Sequence, residues 1–242
     1  MSSDDAFEKA VLSFTYRFCD AEYNEILAVS PPMSSIEKAH DAALTNAARQ
    51  IALMSGLYIK TGYIDESFGR YLGTASDFVY SFNDSVIETI KSRIQVKRTI
   101  IRDGQVYLLV TDPHLSSEKR QSVIGFSASS FLRENNRPVW VTKPPSIRGY
   151  YVGVGIAPVH RFVCDSLFSA DLDAAQNIVR QINSDVQNYT VTSNFENSRG
   201  SKTSLKEGSL IIAEGVLTDF YIIDRWYDPA GQYYYSLGIA KR

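Results

Sequence analysis

Asp224 and Asp228 flank Trp226 and are the carboxylates whose spacing could serve acid/base work, one giving a proton and the other taking it. Both stand next to a turn, where a carboxylate more commonly accepts from its own backbone. His40, His114 and His160 are far apart, and no two share the i, i+4 spacing by which a helix offers two ligands to zinc. Gly153-Val154-Gly155 follows a strand-like run as a dinucleotide-binding turn would, but Pro158 takes the third glycine position and stops a helix there. Gly125-Phe126-Ser127-Ala128-Ser129 lacks the second glycine of a nucleophile elbow. No catalytic, metal-binding or cofactor-binding residue is therefore assigned, and no cofactor is expected.

The residues best suited to binding are aromatic. Trp226, Tyr227, Tyr233 and Tyr235 gather around one turn, and tyrosine and tryptophan bury large areas at interfaces with little entropy loss. Strand alternation sends Tyr233 and Tyr235 to one face and Tyr234 to the other. One set is then available to a partner unless both faces are covered by the protein's own core.

A net charge of −2 over 242 residues supplies no field for a phosphate backbone, so nucleic acid is not expected as a partner. Lys91, Arg93, Lys97 and Arg98 alternate with Ile94 and Val96, as on the wet face of a strand. Only Cys19 and Cys164 are present, which leaves one bridge or two free thiols and excludes a disulfide-dense scaffold. No run approaches the roughly 18 apolar residues of a membrane-spanning helix. The acidic start, Met1 to Asp5, is unlike a signal peptide.

The elements that position these residues recur. Arg49-Gln50-Ile51 in an alanine-rich stretch returns as Arg180-Gln181-Ile182, and Gly104-Gln105-Val106-Tyr107 returns as Gly231-Gln232-Tyr233-Tyr234 at a similar distance. Phe7, Ala10, Val11, Phe14, Phe18 and Ala21 share a face of an N-terminal helix. Ser34 and Glu37 form a capping box for the next, whose inner face carries Ile36, Ala39, Ala43, Ala47, Ile51, Met54 and Tyr58. Phe68 to Phe82 reads equally as helix or strand. Strand patterning from Glu88 to Ile101 leads through Asp103-Gly104, a type I′ hairpin signal, into Val106 to Val110.

The proline-bearing stretch 133–146 separates the halves. Tyr150 to Gly155 then reads as a strand whose glycines admit a close helix. Asp171 and Asp173 read as N-terminal charges of that helix, with Leu172, Ala175, Val179, Ile182 and Val186 on its inner face. Glu196 to Gly208 reads as a loop, Leu210 to Ile223 as strand, and Tyr233 to Ile239 as the last strand. The expected fold is α+β, two tandem repeats, each an antiparallel sheet backed by one main helix, plus an N-terminal helix. Its boundaries are 1–112 for the first repeat, 113–146 for a connecting segment and 147–242 for the second.

Pro138-Val139-Trp140, Tyr151-Val152-Gly153-Val154-Gly155, the helix through Arg180-Gln181-Ile182, Ile223 to Asp228, and Gly231 with Tyr233-Tyr234 together resemble the bacterial Lpp-twenty lipoprotein family. The N-terminal domain of the flagellar T-ring protein FlgT is similar. The resemblance covers about 138–242 and, more loosely through the repeat, about 36–111. It implies a compact α+β domain exported to the periplasm or outer membrane, tethered through a lipidated cysteine, with no catalytic residues. Leader and lipid-bearing cysteine are missing from this chain, so the membrane would be reached only through a lost anchor, and a native start at Met1 would make the protein cytoplasmic. The expected function is that of a non-enzymatic envelope component binding other proteins by its sheet edges and tyrosines. The alternative is a small-ligand binder or enzyme using the cleft between the repeats, with Asp224, Asp228 and His160 as its polar groups.

Overall fold

The computed structural model describes residues 8–9, 11, 25–55, 57–64, 84–114, 133–135, 137–197, 210–217 and 220–242. Most of the expected N-terminal helix, the stretch from Phe68 to Phe82, and Gly125 to Ser129 lie outside these residues. Val11 does not, and it is fully buried against Leu27, Val29 and Leu167.

The fold is α+β. Strand β1 (Glu25–Val29) leads to helix α1 (Ile36–Ser55) and strand β2 (Leu57–Ile64). Helix α2 (Asp84–Arg93) and the hairpin β3 (Gln95–Arg102) and β4 (Gln105–Thr111) follow. Two short strands, β5 (Arg133–Glu134) and β6 (Arg137–Pro138), precede a single helical turn at Val139–Val141. The chain continues through β7 (Tyr150–Pro158), the long helix α3 (Val163–Asn197), β8 (Leu210–Leu217), β9 (Phe220–Asp228) and β10 (Tyr233–Lys241).

One antiparallel sheet has the order β1-β4-β3 and another the order β7-β10-β9, so in each a strand preceding the main helix flanks a C-terminal hairpin. The strands that follow the two main helices, β2 and β8, pair with each other in a continuous antiparallel register from Leu57↔Leu217 to Ile64↔Leu210. Asp103 and Gly104 both adopt positive φ, 52° and 73°, as the expected type I′ turn demands.

Glycine decides how α3 sits. A Cβ on Gly155 would lie 2.0 Å from the Ala170 carbonyl oxygen, and one on Gly153 would lie 2.3 Å from that of Ala174. The helix backbone therefore rests directly on the strand, as the Gly153-Val154-Gly155 spacing suggested.

The largest core cluster crosses from one sheet to the other. Ala39, Ala43, Ala47 and Ile51 of α1 meet Ile26 and Ala28 of β1, Leu108 of β4, and Tyr221, Ile223, Tyr235 and Leu237 of the second sheet. Trp140, from the connecting segment, is fully buried in the same cluster. The boundaries at 112 and 146 thus fall between the two three-stranded sheets, but the β2-β8 pairing and the largest core cluster both cross them.

Several local expectations shift. Of the strand patterning expected from Glu88 to Ile101, the part from Gln95 is strand β3, but 88–93 is overturned, since α2 runs through Arg93. Ile87, Ile90 and Ile94 fall on one helical stripe against the core, and a 3.6 period outweighs the short alternation. Lys91 accordingly reaches Asp41 at 2.9 Å and Glu88 at 3.1 Å, and Arg93 forks onto the buried Asp112, instead of lining a wet strand face. The cap of α1 is Ser35 and not Ser34: with Ile36 as the first helical residue, the Ser35 hydroxyl accepts from the Lys38 amide at 3.4 Å and binds Glu37. Ile36 is exposed, and Tyr58 belongs to β2. Glu196 and Asn197 close α3, while 198–209 lie outside the described residues.

Asp171 and Asp173 are not N-terminal charges either, because α3 begins at Val163 and carries them into its third turn. Leu172, Ala175 and Val179 are buried as expected, with Ile182 packed partly against them.

Candidate functional site

The side chains that most define this fold are amides and a carboxylate aimed at strand edges. Asn177 Nδ2 donates to the Val154 carbonyl at 2.8 Å and Gln181 Nε2 to the Val152 carbonyl at 2.8 Å. One helical turn earlier, Asp173 accepts the Ile156 amide at 2.9 Å. Residues 173, 177 and 181 rise about 6 Å per step along a helix, and residues 156, 154 and 152 about 6.7 Å along a strand, so the two ladders stay in register. Burial raises the Asp173 carboxyl above its ordinary range, although the Ile156 amide pulls the other way.

The same device closes β1. Asn46 Nδ2 donates to the Val29 carbonyl at 2.7 Å and Gln50 Nε2 to the Leu27 carbonyl at 3.1 Å. The third rung differs for a chemical reason: two residues beyond Val29 stands Pro31, which has no N–H to donate, and Ala42 stands one turn before Asn46 where α3 carries Asp173. Arg49 and Arg180 each brace the asparagine of their own helix, at 3.5 and 3.1 Å. The repeated Arg-Gln-Ile pattern is thus part of an Asn-x-x-Arg-Gln unit. Its i, i+4 amides were the signal that could have identified the clamp from sequence.

These bonds occupy the outer edges of β1 and β7. Strand β9, the other outer strand of its sheet, is buried from Phe220 to Trp226. Strand β3 is different. It is outermost in its sheet among the described residues, and every residue except the half-buried Ile100 is exposed. Its cations are Lys97, Arg98 and Arg102, its exposed apolar groups are Val96 and Ile101, and its register is interrupted between Val96 and Arg98.

A cleft of about 450 Å³ opens between the halves. Thr45, Asn46, Arg49 and Gln50 of α1 form one wall, and Cys164, Asp165, Leu167 and Phe168 of α3 form the other. At its base Arg225 forks onto Asp171, Nε to Oδ1 at 3.0 Å and Nη2 to Oδ2 at 2.5 Å. Ser236 donates to Asp171 at 2.6 Å, and Arg225 donates to Gln50 Oε1 at 2.8 Å. This network joins both main helices to β9 and β10. Cys164 is a free thiol, and burial, helped by the Asp165 charge, pushes it up to about 11, which keeps it protonated and unreactive near neutrality.

The aromatic candidates divide. Trp226 and Tyr235 pack together with ring centroids 5.3 Å apart inside the largest core cluster, so as a partner surface they are corrected to core. Both faces of the hairpin are covered over Phe220 to Trp226 and Tyr234 to Ala240, which is the condition under which alternation leaves no free set there. Tyr227 is half-buried against Tyr234 at 4.6 Å, and burial pushes the Tyr234 phenol up to about 12. Tyr233 remains at the surface, beside exposed Ile156 and Val159 on and after the neighbouring strand.

Asp224, Asp228 and His160 do not come together in the cleft. Asp224 is buried and accepts Trp140 Nε1 at 2.8 Å and the Arg225 amide at 2.9 Å. Asp228 accepts the Ala230 amide at 3.0 Å, the turn role expected of it. His160 is exposed, its amide held by Ser166. Among the described residues no three potential metal ligands cluster, and no helix is long and apolar enough to cross a membrane. Comparisons with protein-family models, with curated proteins and with solved structures give no match for the chain.

Proposed function

We propose that this chain is a non-enzymatic interaction protein that engages its partners along a strand edge. The observation that carries this reading is the contrast among the outer strands of the two three-stranded sheets: β1 and β7 are closed by helix amides, β9 is buried, and β3 is exposed along its length. An edge left open where the other outer strands of the two three-stranded sheets are closed offers main-chain hydrogen bonds to an incoming chain. The resemblance of 138–242 to envelope lipoproteins adds the setting, a bacterial periplasm or outer membrane, and the two similar sheets fit a tandem repeat. A photo-crosslinking amino acid at Thr99, with fractionation of the native gene product, tests both parts. The expected result is a discrete protein adduct in the envelope fraction. Cytoplasmic recovery ends the envelope setting, and absence of any adduct ends the interaction reading.

The cleft supports a second reading, a small-ligand binder, because about 450 Å³ lined by Arg49, Gln50 and Asp165 is ample for a polar metabolite. A metabolite library should then raise the melting temperature, and Arg49→Ala should abolish the rise. No shift with any compound rejects it.

A further inference from the structure

We propose that β3 selects an acidic extended segment of another protein, adding it as a fourth strand to the β1-β4-β3 sheet; this rests on the strand-edge reading above. Three features specify the occupant. Lys97 and Arg102 place two exposed cations on the strand, with Asp103, 3.8 Å from Arg102, lying beyond the strand in the turn. A second copy of β3 would bring like charges together, so self-pairing is opposed and an acidic strand is favoured. Val96 and Ile101 stand 40% and 52% exposed near the two ends of the strand, which suits a partner whose acids are interspersed with aliphatic residues.

The irregular register between Val96 and Arg98 sharpens this choice. A bulge twists an edge and leaves a flat strand poorly matched, which is how sheet proteins discourage indiscriminate pairing. Cations and bulge together leave the edge open to a flexible acidic segment and closed to a rigid neutral one.

The test uses the whole protein and two synthetic extended peptides, one alternating Glu or Asp with Val and Thr, the other with Lys in place of the acids. The acidic peptide should bind about tenfold more tightly at low salt, the scale of two exposed ion pairs, and the preference should fade as salt rises. Amide exchange should slow within 95–102 when it binds. The double variant Lys97→Glu with Arg102→Glu should reverse the order of the peptides while leaving the fold intact, since both side chains are exposed. Equal binding of the two peptides, or slowing confined to another element, overturns the proposal. So does a concentration-dependent dimer with β3 protected, which would make a second copy the occupant. If the acidic peptide fails while the Thr99 adduct persists, the edge binds proteins by another chemistry and only the acidic selection falls.

Discussion

Replacing Arg225 with Met should lower the folding stability by about 3–5 kcal/mol, because it strands the Asp171 carboxylate in the core. The Asp171 side chain is 1% exposed and that of Arg225 6%, and the guanidinium supplies two of the three side-chain bonds that Asp171 receives. Without it only the Ser236 hydroxyl remains. Gln50 Oε1 also loses its donor, so the polar link from β9 to α1 goes with the ion pair, leaving the apolar packing between them. The double variant Asp171→Leu with Arg225→Met removes both charges and should recover most of the loss, since a buried pair costs desolvation on both sides. Urea unfolding of the two variants measures this directly. A single variant within about 1 kcal/mol of the parent would mean that water reaches Asp171 and that the network does not hold the halves together.

How much of this was legible in the sequence depends on whether a feature is local. Asp103-Gly104 specifies its own backbone, and the hairpin formed where that pair stands. Gly153 and Gly155 announced a close helix because removing Cβ has one main structural use at a strand facing a helix. Segment 88–93 misled because three isoleucines in eight residues satisfy a helix while their neighbours imitate alternation. Trp226 and Tyr235 misled for a different reason: alternation assigns side chains to faces, but whether a face is covered depends on α1 and Trp140, far away in sequence.

The clamp has a signature in the sequence. Asn46 with Gln50, and Asn177 with Gln181, are uncharged donors at i, i+4 inside alanine-rich helices, where asparagine has little intrinsic reason to be. Asp173 shows the complement, a carboxylate where the facing strand presents an N–H. Pro31 explains why the first helix needs none. The open edge of β3 could be recognised only after the clamps on β1 and β7 were seen, because an exposed strand is informative against closed ones.

Gly155→Ala should be as damaging as the loss of Arg225, for a wholly different reason. Its Cβ would lie 2.0 Å from the Ala170 oxygen and 2.3 Å from the Ala174 nitrogen, and both are backbone atoms of α3. No rotamer can relieve the clash, so helix and strand have to separate by more than an ångström. That displacement stretches the bonds from Asp173, Asn177 and Gln181 to β7, each now between 2.8 and 2.9 Å, out of hydrogen-bond range in step. Overpacking costs about 1–3 kcal/mol where side chains can give way, and the cost here should reach or pass the upper end. Gly149→Ala is the control: its φ of +84° makes alanine strained, but nothing lies within 4 Å, so the loss should stay near 1–2 kcal/mol. Ala174→Gly should not rescue Gly155→Ala, because the obstructing atoms belong to the main chain. Thermal and urea unfolding of the three variants, with amide exchange at Ile156, separates these effects. If Gly155→Ala proves no worse than Gly149→Ala, α3 does not rest on β7 through its backbone, and the clamp cannot be what closes that edge.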